Sequence, residues 1–472
     1  MKNANLYKSF FLFLFFLSPF FPALAEENIE LAKFVKEVEA EKFASLYTLD
    51  LRARIGQEKY DTIKPLSEKF SLRQSGSLKN ETAYRITHPT EFTKIRNQLI
   101  LSEAGKFSDN LRFKVSGRAY YDAVFALTHN FPSNVRSDMQ SEVELRDTYM
   151  DYSKGPWDIR IGKQQVVWGE AIALFFADTV NAKDLREFIL PDFDMIRIPQ
   201  WGVDLEYSKN NFHAEFVWMP VPEMNKLGVT NSEFAFPLPL PSSGTPFTYF
   251  DPSKPKTSLN NSEAGLRLSY LLNGWDFSAF YLHTWNKSPV NFRSISAGVY
   301  EFSPAYKKLD IFGATFAKEI NEIVLKGEFV YNKDDYFQTY DSSVENGVLR
   351  RSWLNYLLGV DYTFFGKIDT AFQFMQKVIF NYSNLLTNEY NVNNSIALWL
   401  KTGFFNGALE PELTVVSSLM TQDLMIRPRI NYKFMNNWLL RFGADIFQGK
   451  DTGTFGMFNK KSRLYSELSY NF

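Results

Sequence analysis

The sequence predicts an all-β protein, a transmembrane antiparallel up-and-down β-barrel of about eighteen strands, with sixteen as the alternative. Three observations carry this. Segment after segment alternates apolar with polar or charged residues, which is the period of a strand with only one face in an apolar medium. Beyond residue 25 there is no apolar run of the ~18 residues that a membrane helix needs, yet Phe, Tyr and Trp make up 17% of the 472 residues. The connections between segments alternate short and long, like the turns and loops at the two ends of a membrane barrel.

The chain opens MKNANLYKSFFLFLFFLSPFFPALAEEN. Lys2 and Lys8 precede an apolar run from Phe10 to Phe21, and Ala23-Leu24-Ala25 stands before two acids. This is the pattern of a secretory signal over 1–25, cleaved near Ala25, and it predicts an exported protein. Residues 26–70 differ from the rest. In IELAKFVKEVEAEKFASLY, Leu31, Phe34, Val35 and Val38 share one helical face, so a short periplasmic helical segment is expected there. It is read either as a solvated tail or capping helix, or as a plug or docking helix for a periplasmic partner.

Residues 71–472 hold the barrel. Strands are predicted at 71–86, 94–105, 111–125, 141–153, 157–168, 200–209, 211–221, 261–272 and 275–286. They continue at 308–318, 323–333, 350–364, 367–379, 393–405, 408–420, 424–434, 438–447 and 462–472. Short connections such as SKGP, KN, FGK and the Asn-Gly pairs at 273 and 406 alternate with longer ones, the longest at 222–260. With short turns periplasmic and long loops extracellular, both termini lie in the periplasm.

The chain ends SRLYSELSYNF. Leu464, Leu468, Tyr470 and Phe472 fall on one face and Tyr465, Glu467, Ser469 and Asn471 on the other. This resembles the terminal signal of Gram-negative outer-membrane barrels, a last alternating strand that closes on an aromatic residue. Together with the leader it predicts the outer membrane of a Gram-negative bacterium, with membrane lipid and the barrel-assembly machinery as partners.

The stretch RIGKQQVVWGEAIALFFADTVNAKDL, residues 160–185, starts as a strand and continues as something helical. Trp168 falls at the strand's outer end, where an aromatic girdle is expected. Gly169 frees the backbone to turn, and Glu170 places an acid in the first turn of the expected helix. The residues that follow are too apolar for a loop bathed in water. Segment 169–199 therefore reads as a loop carrying a helix that packs into the barrel mouth or lumen, with Asp178, Asp184 and Glu187 facing water or lumen arginines. Constriction of a pore and bracing of a large barrel are both open readings of it. The 222–260 connection has prolines interleaved with Phe234, Phe236, Phe247, Tyr249 and Phe250. Proline keeps such a loop out of regular structure, and a cap over the mouth is the preferred reading over an apolar ligand site.

Here the chain resembles a large group of proteobacterial outer-membrane barrels of unknown function, through Gly162-Lys163-Gln164, Trp168-Gly169-Glu170, and Asp178-Thr179-Val180-Asn181 leading to Asp184-Leu185. LKNETAYRI at 78–86 and GRAYYDAVF at 117–125 resemble its early strands, and the likeness runs from about residue 70 to the C-terminus. The resemblance implies a porin-like barrel, associated with export or uptake of hydrophobic or envelope material. The loop residues Trp168, Gly169, Glu170, Asp178, Asn181 and Asp184 are the candidate constriction.

The polar faces supply candidate lumen charges: Arg96, Arg112, Arg118, Glu144, Arg146, Arg160, Arg267, Arg427, Arg429 and Arg441, among acids such as Glu142, Asp204, Glu215, Asp445 and Glu467. Neither sign dominates, which predicts weak ion selectivity rather than a charged ring. A net charge of −1 argues against a nucleic-acid partner. Cysteine is absent, so disulfides and thiolate metal sites are excluded. The four histidines are scattered, no HExxH or GxSxG motif occurs, and no cofactor or catalytic set is expected. A scaffold barrel holding a partner is the alternative to a channel, and an outer-membrane enzyme is the third reading.

Overall fold

A computed structural model describes residues 71–472 apart from 170, 173, 175 and 239–244. The leader and the helix expected over 1–70 lie outside the described residues. Eighteen antiparallel strands form one closed sheet. In chain order they are β1 Ser71–Arg85, β2 Glu91–Lys106, β3 Leu111–Asp122, β4 Ser141–Lys154, β5 Trp157–Gln164 and β6 Gln200–Lys209. There follow β7 Phe212–Met219, β8 Glu263–Leu272, β9 Trp275–Trp285, β10 Lys308–Ile320, β11 Ile323–Gln338 and β12 Val348–Phe364. The wall ends with β13 Ile368–Ile379, β14 Val392–Thr402, β15 Leu409–Ser418, β16 Asp423–Met435, β17 Trp438–Gln448 and β18 Arg463–Asn471. Each strand pairs with its sequence neighbours, and β18 closes on β1 from Ser77–Asn471 to Arg85–Arg463. Closure leaves no free edge, as a sheet surrounded by lipid requires.

The alternation of the sequence sets the two faces. Along β18 Arg463 is buried while Leu464 is 52% exposed, and along β7 Val217 is buried while Phe216 is exposed. Phe277, Phe312, Phe372 and Phe442 are likewise exposed on the outer wall. The outside is an apolar belt for lipid and the inside carries the charges, the inverse of a soluble sandwich. Tight turns at one end suit the residues found there: Asn273 and Gly274 both have positive φ (50° and 77°), the two-residue turn that Asn-Gly favours. A register shift opposite Ser116 puts Arg146 and Asp147 of β4 against one residue of β3. Such a bulge re-aims side chains, and here Arg146 points into the lumen.

The long-loop end carries additional structure. A hairpin of Val290–Ser296 and Val299–Ala305 pairs in parallel with Phe247–Tyr249. Short helices occupy Val124–Leu127 and Ser133–Met139.

Candidate functional site

The wall strand β5 ends at Gln164, earlier than the expected 168, and the wall resumes at Gln200. Between them the chain enters the barrel. Side chains replace the lost ladder: Asn181 Oδ1 accepts from the Val166 amide (3.2 Å) and its Nδ2 donates to the Val166 carbonyl. The Gln200 amide nitrogen donates to the Val180 carbonyl at 2.7 Å. Trp168 is not in the girdle. It is 1% exposed and packs on Phe280 at 5.1 Å, among Ala177, Val180, Val217, Met219 and Leu282. Leaving the strand at Gln164 turns it inward, where an apolar patch on the inner wall receives it. Gly169 sits where the chain folds back on itself, since a Cβ there would lie 2.6 Å from the Asp178 amide nitrogen.

The expected helix after Gly169 does not form among the described residues. Residues 176–192 run as bends and turns apart from a bridge at Lys183 and the short strand Asp184–Leu185, and a single helical turn occurs at Phe193–Ile196. The apolar residues that suggested a helical face spread in several directions to fill an irregular space. Phe188, Ile189, Leu190 and Ile196 pack against Phe447, Phe455 and Phe458 near the mouth and against Leu357, Met375 and Val416 of the wall.

Polar side chains hold the segment from all around the barrel. Glu187 binds Arg96 (2.5 Å) and Lys94 of β2, with Arg463 of β18 at 3.8 Å. On β4, Arg146 donates to the carbonyls of Asp194 (2.5 Å) and Arg197 (3.1 Å), and Glu142 receives Arg186 at 2.8 Å. Across the lumen, Glu328 of β11 accepts from the Ala177 amide (2.9 Å) and Gln373 of β13 from the Ile172 amide (3.3 Å). Arg427 of β16 donates to the Leu190 carbonyl at 2.6 Å, and Asp192 lies 3.7 Å from Arg429 and 3.6 Å from Arg441. In a ring of eighteen strands β2 and β11 stand opposite each other, so the segment bridges the lumen. Within it, Asp178 pairs with Arg197 at 2.6 Å and Asp184 with Arg186 at 2.6 Å.

Burial works to raise the Glu187 carboxyl, but the charges of Arg96, Lys94 and Arg463 outweigh it and hold the group well below the usual carboxylate range. Burial pushes the Lys183 amine down to about 8 against the opposing pull of Asp178, with Lys287 and Arg197 adding to the fall. Its ammonium is fixed by the carbonyls of Asp178 (2.8 Å) and Asn181 (3.2 Å).

Of the sequence-derived lumen charges, Arg96, Arg146, Arg427, Arg429 and Arg441 meet the inserted segment directly. Arg118 and Glu144 act one step back, Arg118 binding both Glu142 (3.2 Å) and Glu144 (2.9 Å) and Glu144 binding Arg146 (3.0 Å). Three stand apart from this network. Arg112 donates to Ser153 at the short-turn end, Arg160 pairs with Asp151 (2.7 Å), and Arg267 lies opposite Glu215 in the β7–β8 register. Glu170 lies outside the described residues. Sequence reasoning passed over Lys94, Arg186, Arg197 and Arg463. Parity with Arg96 and with Glu467 was a usable signal for Lys94 and Arg463, whereas nothing in the irregular 185–199 run marks Arg186 or Arg197.

The 222–260 connection covers this segment in part. Phe234 is 1% exposed and packs on Phe447 and Phe458, and Phe236 contacts Phe188. It is less irregular than its prolines predicted, because Lys226–Leu227 pairs in parallel with Asp184–Leu185 and ties the two loops together. Beside the inserted segment, along β14–β16, a cavity of about 350 Å³ remains, lined by Phe193, Trp399 and Met425 together with Lys401, Glu412 and Arg429.

Residues 92–395 match the family model described as "Protein of unknown function (DUF1302)". The chain belongs to this family. The match covers the inserted segment and most of the wall, a shorter span than the resemblance from residue 70 to the C-terminus. None of the curated proteins matches the sequence. Among solved structures, the chain is similar to Acinetobacter baumannii OccAB1 (10% identity, TM-score 0.52, covering 85% of this chain and 96% of that one). It is similar also to Pseudomonas aeruginosa OccK8 (OprE) (10%, TM-score 0.51, 85% and 98%) and to A. baumannii OccAB2 (12%, TM-score 0.50, 85% and 98%). These likenesses are of fold: a porin-like outer-membrane barrel.

Proposed function

We propose that the protein is a transport channel of the outer membrane, in which the segment between Gln164 and Gln200 is the constriction and the cavity along β14–β16 is the passage left beside it. One observation carries this reading: the segment is bound to opposite sides of the barrel and lies across its bore, as β2, β4, β11, β13 and β16 each hold it. Bracing the wall alone does not call for Glu187 to be buried among three cations of β2 and β18. The remaining passage, lined by Phe193, Trp399 and Met425 together with Lys401, Glu412 and Arg429, suits small amphipathic solutes. Both charge signs line it, so discrimination between simple ions is weak.

Single-channel recording from the protein in planar bilayers tests the reading. The wild type is expected to show small steps and a reversal potential near zero in a salt gradient, and deletion of 171–196 is expected to give large, steady steps. A folded deletion variant that conducts like the wild type would overturn it and favour a scaffold barrel.

A further inference from the structure

The outer wall between β3 and β7 carries a depression of about 640 Å³, and nothing in the channel reading uses it. Register explains its course. Phe113 pairs with Met150, Met150 with Ile161, Ile161 with Val203, and Val203 with Trp218, so five outward side chains form one row across five strands. A hydrogen-bonding row runs perpendicular to the strands, and barrel strands tilt by roughly 35–45°, so the row crosses the wall obliquely. It starts near the short-turn end, where Phe113 is the third residue of β3, and ends at the opposite rim, where Trp218 is the last but one of β7. Ile161 is 57% exposed and Met150 46%. Two of the five strands are short: β5 and β7 have 8 residues each, fewer than the roughly 9–11 of a spanning strand. The upper end of the depression therefore lies at the level of the outer leaflet.

The first row is apolar throughout. Beside it runs a second outward row, Val115–Thr148–Lys163–Trp201. Lys163 is a cation on the lipid-facing side of the wall, where charge is costly unless it meets a counter-charge. Its amine donates to the Leu145 carbonyl at 2.9 Å, and an ammonium has three donors.

We propose that this depression binds one acyl chain of a phosphorylated lipid of the surrounding membrane, with the Lys163 ammonium on the phosphate. A methylene group takes about the volume of a water molecule, ~30 Å³, so the depression has room for a full chain. The apolar row then holds the chain, and Lys163 holds the head.

Native mass spectrometry of the protein after reconstitution in phosphatidylglycerol vesicles, and separately in phosphatidylcholine vesicles, tests this. One phosphatidylglycerol is expected to stay bound through transfer to detergent. Ile161→Trp fills the depression and is expected to lower that adduct about tenfold, the affinity lost with roughly two buried methylene groups. Lys163→Gln is expected to erase the preference over phosphatidylcholine. Phe372→Trp, an outward position on β13, is expected to leave the adduct unchanged, and heat-modifiable mobility on gels verifies that each variant is folded. An adduct absent from the wild type, or equal in folded wild type and Ile161→Trp, overturns the proposal. So does an Ile161→Trp variant that changes oligomeric state without losing lipid, because the occupant is then a second copy of the chain.

Discussion

Glu187→Gln is the most direct test of whether the inserted segment closes the barrel. The substitution keeps the shape of the side chain and removes its charge from among Arg96, Lys94 and Arg463. Removing one partner from a buried ion pair costs about 3–5 kcal/mol, chiefly because the remaining charge is left uncompensated. Here each cation keeps a second acid: Asp122 lies 3.4 Å from Arg96, Glu81 3.8 Å from Lys94 and Asp445 2.8 Å from Arg463. The cost therefore falls at the low end, about 3 kcal/mol, which moves the ratio of docked to undocked segment about a hundredfold toward undocked. In planar bilayers this reads as long dwells in a high-conductance state that the wild type visits briefly. Asp361→Asn, which breaks a wall pair with Lys326 (2.7 Å) in which the segment takes no part, is the control. The wild type carries a matching pH signature. Because the docked carboxyl titrates below its free value of about 4.3, the docking linked to its charge is complete above that value. It is lost only as pH falls below it toward the docked value. Indistinguishable dwell times in the folded wild type and Glu187→Gln would refute the reasoning.

Three further outcomes follow from other anchors. Trp168→Ala is expected to cost about 3–5 kcal/mol of docking stability, the usual range for emptying a buried aromatic site, and to raise conductance. Gly265→Val acts from the other side, because even a Cβ there would lie 2.6 Å from Trp168 Cη2, and is expected to give the same phenotype in bilayer recordings. Lys183 predicts the reverse dependence on pH. Its amine titrates near 8 when docked and near 10.4 when free, so docking strengthens as pH rises between those values. Open-state noise is expected to fall over that interval in the wild type and to stay flat in Lys183→Arg.

The wall was legible in the sequence because one simple rule generates it. Lipid outside and water or charge inside force a period of two on every strand, and each of the eighteen strands stands where that period placed it, with ends shifted by a few residues. The rule failed at β5, where the pattern continued to Trp168 while the strand stops at Gln164. A tryptophan suits an interfacial girdle and an apolar pocket equally, and only the inner patch around Phe280 and Leu282 decides between them. The expected helix over the following residues failed for a related reason. Its apolar spacing is local, but the surfaces that absorb Phe188, Ile189 and Leu190 come from residues 357–458, far along the chain. Site residues on strands were therefore recoverable by parity, and those on the inserted segment were not.

The charges inside the barrel take a different meaning once the segment is in place. Read along the strands alone, the alternating Arg, Lys and Glu side chains describe a wet lumen with no preferred sign. In the folded protein they form a socket: arginines at 146 and 427 spend their donors on backbone carbonyls of the segment, and those at 96 and 463 surround its buried Glu187. A guanidinium bonded to peptide carbonyls keeps its charge and orients a loop without fixing a side chain there. The sequence of the segment can thus vary at 189, 190, 194 and 197 without loss of those contacts, while replacing Glu187 takes a shared acid from three cations at once. The balance of signs that argues against an ion-selective ring is the same balance that lets the barrel hold the inserted segment.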